Sequence, residues 1–569
     1  MREGYGHPCD LPVPCAAASL LSPLDPPSCA LPAKGPLLIA RPMLRAALLA
    51  GVFHFATASP AAAQTDPARL DALKTEAAAK VDRQAKMVQE MIDSLFSFGE
   101  LGMQEVESSR YITAVLEKNG FTVVRGVAGI PTAWTATWTN GSGGPVIAVG
   151  SDIDGIPKAS QKPGVAWREP LVAGAPGHGE GHNSGQAVNI AAAIAVKDLM
   201  TREKIPGTLM LWPGVAEEPV AAKAFFVRDG LFKDADAVLF THVSSNLATN
   251  WGQPSGTGGV SVLYTFSGES AHSAGAPWRG RSALDAVELM DAGWNFRREH
   301  LRPEQRSHYV IKDGGDFPNV VPSEATVWYY FREQTFADIH KNFQIGTKIA
   351  NAAAMMTDTT VSHRIIGTAA PQHMNRPMAE AAHANMQKVG LPSWTPEEQQ
   401  FARAVQKLVG GKETGLDTEL DKLNPPDPEP KSGGSDDIGD VSWTKPTITI
   451  RYPSNIPNLP GHNWSNAIAM ATPIAHKGAI AGAKAMAMTM LDLFLDPKLL
   501  AGAKSYFSDV QTKDVKYQPV LTDEKPYIEM NADIMGAYRE KMRPFYYNPA
   551  KHRTYLDQIG VKWPSTTRP

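Results

Sequence analysis

The chain has 569 residues, too many for one ordinary hydrophobic core, so two or more domains are expected. Its 55 basic and 58 acidic side chains nearly cancel, leaving a formal charge of −3 that excludes the strong global field of a nucleic-acid-binding or polybasic membrane-surface protein. No nucleic-acid partner is expected, and the composition is that of a globular enzyme.

Residues 1–42 are rich in Pro, Ala and Leu without helical or strand periodicity, and are expected to be a non-native extension upstream of the true start. From Met43 the pattern is that of a secretory signal. Arg45 supplies charge, residues 46–56 form a short apolar run, and Ala61-Ala62-Ala63 gives the small-residue cleavage pattern before Gln64. The run is too short to span a bilayer, so the mature chain is expected to be periplasmic or secreted, with no membrane insertion once the signal is cleaved. All three cysteines, Cys9, Cys15 and Cys29, precede Met43, which leaves a thiol-free mature chain suited to an oxidising compartment.

The first expected element is one long Ala/Lys/Glu-rich helix over 67–98, followed by a helix over 106–118. Strands are predicted at 121–125, 133–138 and 145–150, then a small-residue helix over 184–201, a strand over 207–212, a helix over 221–229 and a strand over 237–241. This alternation predicts a mixed α/β sheet covered by helices, whose functional residues should gather at the strand ends. The rhythm then changes to strand 260–266, helix 282–296, strands 308–312 and 325–332, helix 336–354 and strand 360–366, the β-α-β-β-α-β order of a ferredoxin-like unit. That unit is expected to be inserted into the first. The domain reading is therefore a catalytic part at 67–256, an inserted domain at 257–370, a second catalytic part at 371–497 and an extension at 498–569. Within the second part, helices over 378–389 and 396–409, a strand over 447–452 and a long helix over 475–495 resume the core pattern. Residues 423–434, rich in Pro, Asp and Gly, should be a loop, and beyond Pro497 the pattern weakens.

Three clusters carry chemistry. In Pro176-Gly-His-Gly-Glu-Gly-His-Asn183, one glycine separates Glu180 from His182, so a turn can aim an oxygen and an imidazole nitrogen at one centre. Glu217-Glu218 follows a predicted strand, and adjacent carboxylates let one bind metal while the other moves a proton. His242 directly follows another strand. Alone, these would be an ordinary turn, a solvated acidic pair and a hydrogen-bonded histidine. Their convergence on the strand ends of one α/β unit favours a metal site.

The ordered series Ser-Asp152-Ile-Asp154-Gly-Ile-Pro157, Gly-His-Gly-Glu180-Gly-His182-Asn, Ala-Glu217-Glu218, Thr-His242, Gly-Glu-Ser-Ala-His272, Asn319-Val-Val-Pro322 and Gly-Ser-Asp436-Asp437-Ile-Gly-Asp resembles the di-metal aminoacylase, hippurate hydrolase and glutamate carboxypeptidase family. Within it, Phe-Phe-Val-Arg-Asp-Gly-Leu-Phe232 and Gly-Asp-Val-Ser-Trp443 are similar to the aminobenzoyl-glutamate hydrolase branch. The resemblance runs from about Val81 to Leu495. It implies two divalent ions, Mn or Zn, with metal ligands at His182, Glu218 and His242, and Glu217 as general base. It also implies a late histidine ligand, His462 in Leu-Pro-Gly-His-Asn-Trp464 or, as runner-up, His476. Asp154 would orient a ligand from behind. The branch usually carries cysteine where this chain has Glu180, which is expected to replace it as a bridging ligand. The inserted domain would act as lid and homodimerisation surface, its His272 reaching the partner's active site, with Asn319 and Arg332 as candidates for holding a substrate carboxylate.

The implied activity is metal-assisted hydrolysis of N-acyl or N-aroyl amino acids of the p-aminobenzoyl-glutamate type. Alternatives are an exported dipeptidase or carboxypeptidase, and a metal-poor periplasmic binding protein for small carboxylated ligands. Metal content and release of free amino acid separate them.

Overall fold

The computed structural model describes residues 66–431 and 433–568. The expected N-terminal extension, signal segment and all three cysteines lie outside the described residues.

Among the described residues ten strands form two sheets. They are β1 (Thr122–Arg125), β2 (Trp134–Asn140), β3 (Val146–Asp152), β4 (Gly207–Gly214), β5 (Ala237–Ser244), β6 (Gly258–Ser267), β7 (Arg306–Asp313), β8 (Glu324–Glu333), β9 (Thr360–Ala369) and β10 (Thr447–Pro453). The first sheet has the order β1-β2-β4-β3-β5-β10. β4, β3, β5 and β10 run parallel, while β1 and β2 join antiparallel at one edge. The parallel strands read as unbroken apolar runs such as Val238-Leu239-Phe240 because both faces are covered, and those three side chains are fully buried. Parallel register places the ends of β3, β4, β5 and β10 side by side, with Ser151 opposite Thr241 and Arg451 opposite His242.

Helices Gly185–Glu203 and Pro473–Leu495 pack on this sheet. The second is apolar and long enough to cross a membrane by length alone, yet 83% of its most apolar window is buried inside the protein. It is a core helix. The single helix expected over 67–98 is two, Pro67–Asp82 and Ala85–Phe98. Gln84 at the break turns its side-chain amide onto the Ala191 carbonyl oxygen at 3.0 Å, which redirects the second helix along the core.

The second sheet, β7-β8-β6-β9, is antiparallel throughout and carries helices Ala283–Arg298 and Phe336–Met356 in the expected β-α-β-β-α-β order. Ser282 and Thr335 cap these helices, each accepting from a backbone N–H three residues on. Alternation along β8 sends Ala325, Val327, Tyr329 and Phe331 into a core with Trp294. Residues beyond Pro497, where no strong pattern was expected, form helices Pro497–Tyr506, Ala532–Met542 and Tyr555–Gln558 against the catalytic core.

Trp294 is fully buried, stacks edge-on to Phe331 at 4.6 Å and donates its Nε1–H to Ser307 Oγ at 2.8 Å. Trp294→Ala should destabilise the inserted domain by about 3–5 kcal/mol, read as a shifted denaturant transition. An unchanged transition would contradict this account of that core.

Candidate metal centre

The side chains expected to bind metal converge where the parallel strands end. Glu180 and His182 come from the loop preceding helix Gly185–Glu203, Glu217 and Glu218 from the turn after β4, His242 from β5, and His462 from the segment after β10. Gly181 has φ +124, a conformation that a side chain rarely tolerates, and a Cβ there would meet Met470 Cε at 2.7 Å. The glycine thus lets the flanking residues turn the same way, with Glu180 Oε2 2.7 Å from His182 Nε2. Ala216 also holds a positive φ of 50, a strain of about 1–3 kcal/mol for a non-glycine residue. Buried Glu105 restrains that turn by accepting Ala216 N–H at 2.7 Å and the Thr132 hydroxyl at 2.9 Å.

A backbone carbonyl lies within hydrogen-bonding distance of Nδ1 in both imidazoles. His182 Nδ1 lies 3.2 Å from the Asp154 carbonyl oxygen, and Asp154 Oδ2 accepts Glu218 N–H at 3.1 Å, so one residue orients two others. His242 Nδ1 is 2.9 Å from Val243 O and 3.1 Å from Arg451 Nη1. It cannot donate to the first and accept from the second at once. Donation to the carbonyl leaves Nε2 with its lone pair facing inward, the tautomer a metal ligand needs. Glu180 spans the centre, with Oε1 3.4 Å from His242 Nε2 and 3.8 Å from His462 Nε2. His462 Nε2 is also 3.5 Å from Glu218 Oε2, although its ring is largely exposed. His476 instead pairs with Asp93 Oδ1 at 2.7 Å, well inside a different network, so His462 is the late histidine at the centre.

The fit to cations rests on unpaired atoms. Asp152 Oδ2 and Glu218 Oε1 are buried with no hydrogen-bond partner, and Glu180 Oε2 and His182 Nε2 face each other at 2.7 Å. Buried carboxylate oxygens without partners are costly, and their convergence on one centre calls for positive charge. Among the described residues three donor groups lie close enough to hold a cation: Glu180, His182, Glu217 and Glu218 in one, Asp152, His182 and His242 in another, and Glu217, Asp436 and Asp437 in a third. Carboxylate oxygens and imidazole nitrogens are donors that suit Zn²⁺ and Mn²⁺.

Electrostatics without cations point the same way. Burial, then the charges of Asp436 and Asp152, raises the Glu217 carboxyl well above its ordinary range. Burial and Glu180 do the same to Glu218. Burial opposes the Glu180 charge, but His182 and His242 outweigh it and hold that carboxyl well below its usual value. His182 is driven well above, since Glu180 and Asp154 overcome its burial. His178 in the same motif is fully buried, falls to about 4 by desolvation, and hydrogen-bonds to Leu95 O at 3.0 Å away from the centre.

A cavity of about 280 Å³ opens over the cluster, lined by Glu180, Glu217, Glu218, His242, Arg332 and Arg451 among others. Arg332 comes from β8 of the inserted domain and lies 4.9 Å over the Tyr330 ring, pairing with no carboxylate among the described residues. Tyr330 donates its hydroxyl to Glu218 O at 2.9 Å, fixing that strand to the catalytic turn. His272 and Asn319 are not brought to the cavity. Both are exposed on the inserted domain, where Ser273 N–H donates to Asn319 O at 3.0 Å. His272 Nδ1 accepts Gly275 N–H at 3.0 Å, which leaves Nε2 as an outward donor.

Sequence reasoning missed Lys223, Arg451 and the roles of Asp436 and Asp437. Lys223 Nζ is fully buried, 2.6 Å from Asp152 Oδ1, 3.7 Å from Asp436 and in direct contact with Asp437. The available signal was a lysine inside an otherwise apolar run, Val220-Ala-Ala-Lys-Ala-Phe-Phe226.

A parallel α/β core with carboxylates and imidazoles at its strand ends, interrupted by a β-α-β-β-α-β domain, defines a hydrolase of amide bonds that works with divalent metal. Residues 257–355 match the family described as a peptidase dimerisation domain. The chain is 34% identical over 468 residues to one of the subunits of p-aminobenzoyl-glutamate hydrolase of Escherichia coli, covering 77% of this chain and 95% of that one. It is 28% identical to Xaa-Arg dipeptidase of Mus musculus, covering 77% and 93%. The crystal structure of an aminobenzoyl-glutamate utilization protein from Klebsiella pneumoniae shares the fold, with TM-score 0.50 at 16% identity over 73% of this chain and 96% of that one. The chain belongs to the M20 family of metallopeptidases and amidohydrolases.

In the metal-free protein, His182 and Glu218 hold protons at higher pH than usual, so a cation must displace them. Cation affinity should therefore fall as pH drops, and binding near neutrality should release protons. Calorimetric titration in two buffers of different ionisation enthalpy reads this directly, and equal heats in both would contradict it.

Proposed function

We propose that the protein is an exported, periplasmic or secreted, homodimeric amidohydrolase that uses a pair of Mn²⁺ or Zn²⁺ ions to cleave N-acyl or N-aroyl amino acids, including p-aminobenzoyl-glutamate-like compounds. The observation that carries this is one cavity shared by the Glu217–Glu218 turn, the inward imidazoles and the unpaired Arg332 guanidinium. The name of the E. coli relative supports the substrate class.

Glu180, His182, Glu218, His242 and His462 would hold the ions, with Glu180 as the bridging carboxylate. Once bound, the ions supply Lewis acidity that lowers the pKa of a water and polarises the amide carbonyl. Glu217 takes the proton of that water, oxygen attacks the carbonyl carbon, and Glu217 returns the proton to the amine as the C–N bond breaks. Arg332 offers its planar fork to the substrate carboxylate. The partner subunit's His272, with its Nε2–H facing outward, would donate to the developing oxyanion, and Asn319 is the further candidate for holding the substrate carboxylate.

Metal analysis followed by an assay of amino-acid release from N-acyl, N-aroyl and dipeptide substrates tests the reading. Bound divalent metal and turnover of N-aroyl substrates are expected. The dipeptidase name of the mouse relative favours a second reading, which turnover of dipeptides alone would establish in place of the first. Absence of both metal and turnover would leave a binding protein. Glu217→Gln should keep the metal while lowering kcat by about 10²–10⁴, and loss of metal would refute the division of roles between Glu217 and Glu218.

Mixing inactive Glu217→Ala and His272→Ala subunits should restore activity, because one site of each mixed dimer combines an intact Glu217 with an intact partner His272. No recovery after demonstrated subunit exchange would place His272 outside the reaction.

A further inference from the structure

Asp152 closes β3, is 1% exposed, and sits behind His182 at the floor of the centre. Its two oxygens are in different situations. Oδ1 accepts from the buried Lys223 ammonium at 2.6 Å, whereas Oδ2 is buried, unpartnered, and 4.0 Å from His182 Nε2. The donor atoms of Asp152, His182 and His242 lie within 4.8 Å of one another. With ligand bonds of about 2.0–2.2 Å, two donors to one ion can be at most roughly 4.2 Å apart, so Oδ2 and His182 Nε2 can share an ion from near-opposite sides.

Space and charge are both arranged around this carboxylate. Gly214 is its partner across the β3–β4 pairing, and a Cβ there would come within 1.9 Å of Asp152 Oδ1. The glycine makes the pocket in which the side chain lies. Lys223 is itself immobilised, since its backbone N–H donates to Asp437 Oδ2 at 3.1 Å and its Nζ also contacts Asp437 Oδ1. An ammonium fixed in this way pins one oxygen of Asp152 and leaves the other no freedom to turn from the centre.

We propose that Asp152 is an additional ligand of the cation pair, contributing Oδ2, and that Lys223 is the positioning residue that holds it in that orientation. The proposal rests on the divalent-metal reading of the site. Lys223 acts only through Asp152 and does not touch substrate or cation.

The full chain, stripped of metal and titrated calorimetrically with Mn²⁺, tests both parts. Asp152→Asn should weaken at least one of two binding events by roughly tenfold or more, and Lys223→Met by about 10–100-fold, as for residues that orient a ligand. The Asp152→Asn/Lys223→Met double variant should be no weaker than Asp152→Asn alone, because the lysine has nothing left to position. Mn²⁺ electron paramagnetic resonance should show altered coordination in Asp152→Asn. If the single variant fails to fold around an uncompensated lysine, the double variant removes the pair together and carries the same comparison with wild type. Two-site binding by Asp152→Asn or the double variant at wild-type affinity would overturn the proposal and leave the metal reading standing. No binding by wild type would overturn both.

Discussion

The constraint on which the rest depends is the burial of many like charges in one place. Asp152, Asp154, Glu217 and Asp437 are all at least nine-tenths buried within reach of the same strand ends, and Glu180, Glu218 and Asp436 stand just above them. Carboxylates so placed repel one another and lose their hydration, which is why Glu217, Glu218, Asp152 and Asp437 are all raised. Only positive charge makes the arrangement tenable when the carboxylates are ionised. The protein supplies part of it permanently through the Lys223 ammonium, and divalent cations are suited to supply the remainder.

This division explains why the centre is layered. Below, Lys223 joins Asp152 and Asp437, residues from β3 and from the short helix-forming segment before β10, into a closed ion network. Above, Glu180 presents one oxygen to His182 and the other toward His242. Each oxygen of Glu180 thus has its own imidazole neighbour.

Much of this was legible in the sequence because local pattern and local chemistry agreed there. Apolar runs marked the parallel strands, glycine spacing marked the Glu180–His182 turn, and the change of rhythm after β5 marked the inserted domain. Illegible parts depended on contacts distant in the chain. Asp152, Lys223 and Asp437 meet only after β3, the turn following β4 and the segment before β10 are assembled, and the apolar run around Lys223 marks its burial without naming the carboxylates it meets. His462 precedes the final core helix and His476 lies in its first turn. Their difference lies in Asp93, which accepts from His476 and from Tyr555 N–H. The region beyond Pro497 holds itself by scattered side-chain contacts rather than by one amphipathic face. Arg539 on Glu100 and Tyr517 on Asp440 are examples, and such contacts leave no periodicity to read.

The segment 433–442 links this charge network to the inserted domain. Entering that domain, Thr257 shares a hydroxyl hydrogen bond with Ser435 at 2.9 Å and donates its N–H to Gly434 O at 3.0 Å. Leaving it, Ala370 donates its N–H to Asp440 Oδ2 at 2.8 Å. Between those two attachments lies Asp437, which holds Lys223 and through it Asp152. Both crossings of the chain between domains are therefore tied to the stretch that supports the floor of the centre, while Tyr330 and Arg332 on β8 contribute to its roof. The inserted domain that brings Arg332 to the cavity and the Lys223–Asp152 pair beneath it are thus anchored by the same short stretch of chain.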